Sequence, residues 1–432
     1  MASVLIATVP VHGHVTPLLA VARHLVERGD RVRFLTGSRF AAVVEATGAT
    51  HLPLPPDAEF DDQQDLAEVF PERAALRGSK AVAFDIVHVF VLPGRGQYEA
   101  ILAAEAAEPV DVILTDPALV GGALLLGRDR ATRPPVVVCG VIPLMIASRD
   151  TAPYGMGLTP LRGPLGRLRN AALSTLAART VFPEAQRMAD DLHRELHGGP
   201  VGFPALDWPR HADAIVQFSV PEFEYPRSDA PSTLTFAGPI SASGSQAPLP
   251  PWWGDLDGSR PVVHVTQGTI ANRDWSQIVA PALEGLAGED VLVVVATGGR
   301  PLDTLPPLPP NARAAEFLPY DELLPLTSVF VTNGGYGGVQ YALRHGLPVV
   351  TSSGHEDKPE VAARVAWSGV GIRLNTEAPT AAAVRDAVRT ALTQPRYRAR
   401  AQEVAASMAA FGGMTVLTDV VDRLVAESGR PG

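Results

Sequence analysis

Residues 329–345 read VFVTNGGYGGVQYALRH, and this stretch decides the fold class. An apolar, mostly β-branched run enters a turn with four glycines, and helix-favouring residues follow it. A strand that passes through a tight turn into a helix is the repeating unit of doubly wound α/β sheets. Backbone amides at such a helix start bind phosphate without cationic side chains, so the turn is a candidate phosphate site. The alternative is a packing turn in which the glycines only permit close approach.

The turn matches neither of two common phosphate-binding signatures. No Gly-Lys-Ser/Thr follows it, which excludes a P-loop. Its GG-x-GG spacing, with no acidic residue closing a following strand, excludes the dinucleotide fingerprint. A phosphate compound bound here would be held mainly by backbone amides.

The same order of strand and helix occurs in both halves of the chain. Apolar runs are followed by helical periodicity at residues 3–9 and 17–28, and again at residues 261–266 and 275–286. Continuous Val/Ile runs of this length are typical of parallel strands buried on both faces. The sequence therefore predicts an α/β protein with two Rossmann-like doubly wound domains that face each other across a cleft.

The domain boundary is predicted from composition. Residues 238–260 are rich in Pro, Gly and Ser and lack periodicity, which is typical of a linker. The domains are then residues 1–237 and 261–432. The last helical stretch, residues 416–426, either closes the second domain or crosses back to the first.

Charge and cysteine content exclude several classes of protein. The 432-residue chain has a formal net charge of −10, which disfavours a nucleic-acid partner. Its single cysteine, Cys139, excludes an intramolecular disulfide and a cysteine-based zinc cluster. The amino terminus lacks a secretory signal, and no apolar run approaches the roughly 20 residues of a membrane span. We expect a soluble, cytoplasmic protein.

Three sets of polar residues follow predicted strands. His12 and His14 lie in a predicted loop after the first strand, where an imidazole with a pKa near 6.5 suits a general base, and spacing does not choose between them. Asp116 ends an apolar strand, so it either orients an imidazole, caps a helix, or does both. Glu356, Asp357 and Lys358 form either a site for a polar ligand or a solvated turn.

Two patterns imitate metal sites. His193 and His197 are four residues apart, but the Glu of a zinc helix is replaced by Arg194. Asp255 and Asp257 form a DxD sequence within the predicted linker rather than at a strand end. We expect solvated positions for all four side chains and no metal.

The chain resembles the family-one glycosyltransferases of GT-B fold, and the bacterial branch that acts on macrolides and other natural products is most similar. The resemblance covers nearly the whole chain and is carried by GHVTPLL (13–19), LTDP (114–117), VPEFEYP (220–226), VTQGT (265–269), FLPYDELLP (317–325), NGGYGGVQYALRHGLPVV (333–350) and EDKPEVAARVAWSGVGI (356–372). The C-terminal series is specific in both order and spacing.

The resemblance implies a role for each matching position. The base is His14 and its partner carboxylate is Asp116, which leaves His12 as a loop residue. The donor nucleotide sugar would be held by residues matching the family's nucleobase, diphosphate and sugar contacts: Gly268, Thr269, Phe317, Leu318, Asn333, Gly335, Tyr336, Gly337, Gly338, Gln340, Asp357 and Lys358.

Several positions depart from the family pattern. The turn opens with Asn333 where the family usually has histidine, and Gly338 replaces a small hydroxyl residue. The ribose-binding glutamate falls at Tyr341, beside Gln340, and Lys358 replaces a glutamine. These changes leave open whether the donor is a uridine or a thymidine nucleotide.

The function that the resemblance implies is inverting, metal-independent sugar transfer. The donor would be UDP-glucose or a TDP-sugar acting as co-substrate, with no cofactor, and the acceptor a small apolar molecule such as a macrolide, polyketide or flavonoid-like phenol. We expect the acceptor pocket among residues 84–92 and 142–156, and a monomer or homodimer. The alternatives are a nucleotide-sugar epimerase of the same fold and a catalytically silent binding protein.

Overall fold

Two parallel sheets, one in each half of the chain, form the framework. The structure is a computed structural model that describes residues 1–62, 64, 66–240, 247–270, 272–354 and 357–429. Both sheets consist of parallel strands connected through helices, so the predicted pair of doubly wound α/β domains is confirmed. Glu356 and residues 241–246 of the predicted linker lie outside the described residues.

The first sheet has seven strands in the order β3-β2-β1-β4-β5-β6-β7. Its strands are β1 Ser3–Ala7, β2 Arg31–Thr36, β3 Thr50–Pro53, β4 Val112–Thr115, β5 Val136–Gly140, β6 Ala214–Gln217 and β7 Leu234–Phe236. The α-helices of this half are α1 His12–Glu27, α2 Ala41–Glu45, α3 Leu66–Val69, α4 Ser79–Asp85, α5 Gly94–Ala107, α6 Gly121–Leu125, α7 Gly163–Thr180 and α8 Pro183–His197. A π-helix, Ile86–Val91, continues α4. The central strands are buried on both faces, as their unbroken apolar sequence predicts.

The second sheet has six strands in the order β10-β9-β8-β11-β12-β13. Its strands are β8 Val262–Thr266, β9 Leu292–Ala296, β10 Ala312–Ala315, β11 Val329–Thr332, β12 Val349–Thr351 and β13 Gly371–Arg373. Its helices are α9 Val279–Leu286, α10 Tyr320–Leu323, α11 Tyr336–Arg344, α12 Lys358–Ser368, α13 Ala381–Thr393, α14 Pro395–Ala410 and α15 Met414–Ser428. In both domains, the loops that carry polar candidates leave the carboxyl ends of adjacent strands, where ligands of such sheets bind.

The last helix packs on the first domain. Leu417, Val421 and Leu424 of α15 belong to the same buried cluster as Val4 and Ile6 of β1. At the edge of this contact, Oδ1 of Asp422 lies 2.9 Å from Nη1 of Arg28, the residue that follows α1. The sequence had left two positions open for this helix, and the structure places it across the first domain.

The first helix begins earlier than predicted, which corrects the position of both histidines. α1 begins at His12, so the histidines lie in its first turn rather than in a loop, and Pro17 lies inside the helix. The carbonyl of Val11 accepts hydrogen bonds of 2.9 Å from the amides of His14 and Val15, which starts the helix. Proline is common at a helix start, which explains the error, but this one removes a single later hydrogen bond and leaves the first turn intact.

Within the described residues, no single helix combines the length and apolarity needed to cross a membrane. Helices α14 and α15, which meet at an angle of 41°, have the required length and apolar composition only when they are counted as one segment.

Candidate active site

A large cavity lies between the two domains. Its volume is about 2290 Å³, and both domains contribute its walls. Of the predicted site residues, all but Asp116 line it: His14, Gly268, Thr269, Phe317, Leu318, Asn333, Gly335, Tyr336, Gly337, Gly338, Gln340, Asp357 and Lys358. Residues from distant parts of the sequence therefore meet at one site.

His14 and Asp116 form a buried pair at the wall of this cavity. The Nδ1 atom of His14 lies 2.9 Å from Oδ1 of Asp116. The His14 side chain is 12% exposed, and the Asp116 side chain is completely buried behind it. When Nδ1 donates its proton to the carboxylate, Nε2 keeps a lone pair that can accept a proton from another molecule.

Asp116 is held by three further donors. Thr8 donates its hydroxyl to Oδ2 at 2.7 Å, and the amide of Val9 donates to the same oxygen at 2.9 Å. The amide of Ala118 donates to Oδ1 at 2.7 Å. Asp116 therefore orients the imidazole, but it does not cap a helix, because the Ala118 amide lies in the turn ahead of α6, which begins at Gly121. Four accepted hydrogen bonds fix the carboxylate, which in turn fixes the imidazole.

Electrostatics adjust the proton affinity of the pair. Burial by itself would lower the pKa of His14, but the charge of Asp116 and the hydrogen bond to it outweigh burial and raise the pKa above 6.5. The charges of Asp357 and Asp62 add to this rise. Burial opposes ionisation of Asp116 as well, yet His14, Thr8 and Val9 together bring its pKa below the ordinary value of 3.8. The ion pair is therefore the favoured state of the site at moderately acid pH.

His12 has different surroundings. Its backbone amide donates to Oδ2 of Asp62 at 2.6 Å, and its ring lies 6.5 Å from that of Phe40. Burial lowers the pKa of His12 despite the charge of Asp62. The two histidines, which sequence spacing could not separate, are distinguished by geometry, because His14 is the one paired with Asp116.

The glycine-rich turn joins β11 to α11. Gly334 has a φ of +99°, and a Cβ atom at this position would lie 2.9 Å from Oγ1 of Thr351. A Cβ atom at Gly335 or Gly337, in contrast, would meet no atom within 4 Å. Packing therefore requires a glycine at position 334, while positions 335 and 337 border open space. The first helical hydrogen bond runs from Val339 to Gly335, so the amides of residues 336–338 precede it and are the free donors of a helix start.

A second glycine loop lies beside this turn. Asn333 donates its side-chain amide to the carbonyl of Gln267 at 3.2 Å, which ties the turn to the loop after β8. Gly268 has a φ of +72°. Its carbonyl oxygen lies so close to Gly298 that a Cβ atom at position 298 would be 2.1 Å from it. The carbonyl of Gly268 is thus closely packed against Gly298, whereas Gly268 and Thr269 are exposed and line the cavity next to the turn.

The nucleobase candidates differ in exposure. Phe317 is 48% exposed, and its ring packs against the backbone of Gly299, where a Cβ atom would lie 2.8 Å from the ring. Leu318 is 1% exposed and belongs to the core beside β9. At this part of the cavity wall, the Phe317 ring is available to a ligand, whereas the Leu318 side chain is buried in the core.

Tyr336 and Gln340 of α11 contact the first domain. The Nε2 atom of Gln340 donates to the carbonyl of Phe218 at 2.6 Å, and Gln217 donates to the Tyr336 hydroxyl at 3.3 Å. Tyr341 also has a protein partner, because its hydroxyl donates to Asp321 at 2.7 Å. Tyr336 and Gln340, which were predicted to bind the sugar donor, therefore connect α11 to the first domain.

Asp357 and Lys358 stand where α12 begins. Lys358 is 7% exposed, and both residues line the cavity. The two apolar stretches chosen for an acceptor also contribute to its wall: Asp85, Ile86, Val89, Phe90, Ile142, Met145 and Ile146 are among the residues that line the cavity.

The two patterns that imitate metal sites differ in exposure. His193 is buried, not solvated as predicted, and its Nδ1 pairs with the carbonyl of Gly199 at 2.6 Å. His197 is half-buried, and its Nε2 pairs with the carbonyl of Leu124 at 2.9 Å. Asp255 and Asp257 are exposed, as predicted, and Asp255 forms an ion pair with Arg313. The described part of the chain holds no group of three or more His, Cys, Asp or Glu side chains arranged for a metal ion.

Sequence reasoning missed Thr8. Strands β1 and β4 pair with Ala7 opposite Thr115, so the next residues along, Thr8 and Asp116, also stand side by side. A polar residue at the end of an apolar run was the available signal, but its meaning depends on a strand pairing that the sequence did not specify.

Comparisons with known proteins identify the family and the fold of the chain. Residues 281–426 match the family model described as "Erythromycin biosynthesis protein CIII-like, C-terminal domain". The chain is 41% identical to 4'-demethylrebeccamycin synthase of Lentzea aerocolonigenes, over 98% of this chain and 100% of that protein. It is 35% identical to UDP-glycosyltransferase 2 of Phaeomoniella chlamydospora, with 98% and 96% covered. Among solved structures, CalG4, the calicheamicin glycosyltransferase, superposes with a TM-score of 0.75 at 21% identity, and the match covers 100% of both chains.

Proposed function

This chain belongs to the family-one glycosyltransferases of GT-B fold, and we propose that it moves a sugar, with inversion and without a metal ion, from a UDP- or TDP-sugar to a hydroxyl of a small apolar acceptor. Macrolides, polyketides and flavonoid-like phenols are the acceptor classes. The names of two relatives, 4'-demethylrebeccamycin synthase and UDP-glycosyltransferase 2, support sugar transfer from a nucleotide sugar to a natural product.

The observation that carries the proposal is the 2.9 Å pair of His14 and Asp116, whose imidazole lines the same cavity as the glycine-rich turn. In the proposed reaction, Nε2 of His14 takes the proton of the acceptor hydroxyl while the acceptor oxygen bonds to the anomeric carbon. The bond from that carbon to the diphosphate oxygen breaks, and the diphosphate leaves with the electron pair. Asp116 stabilises the imidazolium that forms.

The leaving diphosphate acquires negative charge, and the proposed source of stabilisation is the start of α11. The amides of residues 336–338 and the helix dipole supply positive potential at this point. Asn333 adds a neutral hydrogen-bond donor to this group in place of a cationic side chain. Asp357 and Lys358 are the proposed partners of the sugar hydroxyls, and the face of Phe317 is the proposed stacking surface for the nucleobase.

The acceptor side of the proposal uses the apolar wall. Residues of the π-helix and of the segment after β5 line the cavity on the His14 side. An apolar molecule bound against them loses contact with water, and only its reacting hydroxyl needs a polar partner.

The proposal is tested by incubating the protein with UDP-glucose or a TDP-sugar and a panel of phenols and macrolides. Transfer adds the mass of one sugar to the acceptor and releases one nucleoside diphosphate. The coupling constant of the anomeric proton in the product, measured by NMR, reports inversion. Retention of configuration, or loss of turnover on addition of EDTA, would contradict the mechanism. Sugar interconversion without an acceptor would favour an epimerase instead.

A further inference from the structure

A buried ion-pair network crosses the boundary between the domains. Arg364 of α12 places Nη1 at 2.8 Å from Oε2 of Glu360 and Nη2 at 2.9 Å from Oε2 of Glu224. The three side chains are 1%, 5% and 1% exposed. Glu224 follows β6 in the first domain, whereas Glu360 and Arg364 lie one helical turn apart in the second. The network therefore connects the two domains away from bulk water.

Each carboxylate also holds the backbone of one segment, residues 141–162 between β5 and α7, which we call the acceptor loop. The second oxygen of Glu360 accepts hydrogen bonds from the amides of Gly155 and Gly157, at 3.0 and 2.8 Å. The second oxygen of Glu224 accepts from the amide of Leu144 at 2.9 Å. Both ends of the acceptor loop are therefore held by groups that share Arg364.

The acceptor loop lies directly on the first turn of α12. Gly157 has a φ of +58°, and a Cβ atom there would lie 2.7 Å from the carbonyl oxygen of Pro359. The residues that flank this contact in sequence line the central cavity: Tyr154, Gly155 and Met156 of the acceptor loop, and Asp357 and Lys358 at the start of α12. Any shift of the acceptor loop along α12 therefore changes the width of the cavity next to the proposed sugar contacts.

Stability alone is a weak reason for this network. Taking charges out of water costs several kcal/mol for each ion in typical proteins, and apolar side chains of similar volume often stabilise as well. The Nε atom of Arg364 is buried without a hydrogen-bond partner, which adds to the cost. The ring of Tyr225, 4.3 Å from the guanidinium carbon, offsets only part of it. Ion pairs of this kind fix one arrangement of the groups they join, because partial contact is unfavourable.

We propose that Glu360 and Arg364 are positioning residues, which hold the acceptor loop at a fixed distance from the sugar-binding end of α12. The start of one helix then serves both substrates: Asp357 and Lys358 face the proposed donor sugar, and Glu360 in the same turn holds the loop that borders the acceptor. The inference rests on the proposed function, since it takes the 142–156 wall as part of the acceptor site. Its consequence is that acceptor affinity depends on residues that do not line the cavity.

The test compares Glu360→Gln, Glu360→Ala and Arg364→Lys with Glu427→Gln. A glutamine at position 360 keeps the volume but offers one oxygen, so it accepts either from the glycines or from Arg364 while its NH₂ faces the other donors. Glu427 is a matched control, because it also pairs with an arginine four residues away but both side chains are 56% exposed. Steady-state kinetics varying the acceptor, nucleoside diphosphate titration and amide hydrogen exchange are measured on each variant.

We expect the Glu360 variants to raise the acceptor KM by about tenfold, which corresponds to about 1.4 kcal/mol of acceptor binding. The Kd for UDP or TDP should stay within about twofold of the wild-type value, a difference of under 0.5 kcal/mol. Amides 155 and 157 should exchange faster in the Glu360 variants, a readout that requires no turnover. The Glu427→Gln variant should match the wild type in every measurement.

Two outcomes overturn the inference. One is an acceptor KM and an exchange rate at residues 155–157 that match the control. The other is a parallel loss of nucleotide binding and melting temperature, which would make the network a general determinant of stability. A wild-type protein that binds nucleotide but transfers sugar to no acceptor refutes the proposed function instead. Hydrogen exchange separates the two failures, because it reports the loop contact directly.

Discussion

The hydroxyl of Thr8 donates a 2.7 Å hydrogen bond to Oδ2 of Asp116, while His14 occupies Oδ1 of the same carboxylate. Thr8 is completely buried and therefore has no water to replace this partner. The contact places a third side chain behind the His–Asp pair, one that neither touches the cavity nor titrates.

Thr8→Val should lower kcat/KM by about 10- to 150-fold, because a hydrogen bond to a charged group contributes about 1.5–3 kcal/mol and the methyl group cannot supply one. Thr8→Ser keeps the hydroxyl and should retain most of the activity. Initial rates at saturating donor measure the difference. Equal rates for the serine and valine variants would show that Thr8 only fills space.

Replacement of His14 by alanine should reduce kcat by roughly 10²–10⁴-fold, the usual contribution of a positioned acid–base group. His12→Ala is the control, since His12 lies in the same helical turn but has no contact with Asp116. Both variants should bind nucleoside diphosphate normally, because neither residue belongs to the second domain. A His12 variant as impaired as the His14 variant would exchange their roles.

The pH dependence follows from the direction of the pKa shift. His14 must be neutral to accept a proton, and its pKa is raised above 6.5, so kcat/KM should increase with pH through a transition above that value. Asp116→Asn removes the main charge that raises the pKa, and burial then lowers it, so the transition should move to lower pH. The maximal rate should also fall, by about 10²-fold or more. A transition that stays in place would mean that another group controls the profile.

The two kinds of glycine in the 333–338 turn predict opposite effects. Gly337→Leu should leave the melting temperature unchanged or higher, because a Cβ atom there meets no atom and leucine favours helix. The side chain enters the proposed diphosphate site, so the Kd for UDP or TDP should rise by about tenfold or more. Calorimetric titration and thermal unfolding measure both effects.

Gly334→Ala should show the reverse pattern. Its φ of +99° and the nearby Oγ1 of Thr351 make any side chain strained, with a cost of about 1–3 kcal/mol in the free energy of unfolding. Donor affinity of the folded fraction should change little, because position 334 is absent from the cavity wall.

The two variants together separate the roles of the turn. If the Gly337→Leu variant binds nucleotide normally, the turn is a packing feature and not a phosphate site.

The sequence predicted the parallel framework because its signals are local. Strands β1 and β11 are mostly apolar runs, and β8 has the same character apart from His264. Short strands such as Gly371–Arg373 were missed, since three residues carry no periodicity and this strand exists only through its pairing with β12. Residues 275–286 were predicted as one helix but consist of a 3-10 turn, Trp275–Gln277, followed by α9.

Contacts between distant segments account for what remained unpredicted in the site. Asp116 could be proposed from its place at a strand end, but Thr8 became relevant only through strand register. Glu360 and Arg364 look like an ordinary helix pair in sequence, since a spacing of four residues is typical of exposed surfaces. Their burial depends on Glu224 and the acceptor loop, which arrive from the other domain.

The return of α15 to the first domain affects how such enzymes can be recombined. A simple fusion after residue 237 would separate Leu417, Val421 and Leu424 from the strands that they cover and would expose apolar surface on both fragments. A chimera designed to change the nucleotide sugar should instead exchange an internal cassette that ends before Met414, so that each acceptor domain keeps its own terminal helix. The order of residues along the chain is therefore a poor guide to the units that can be exchanged.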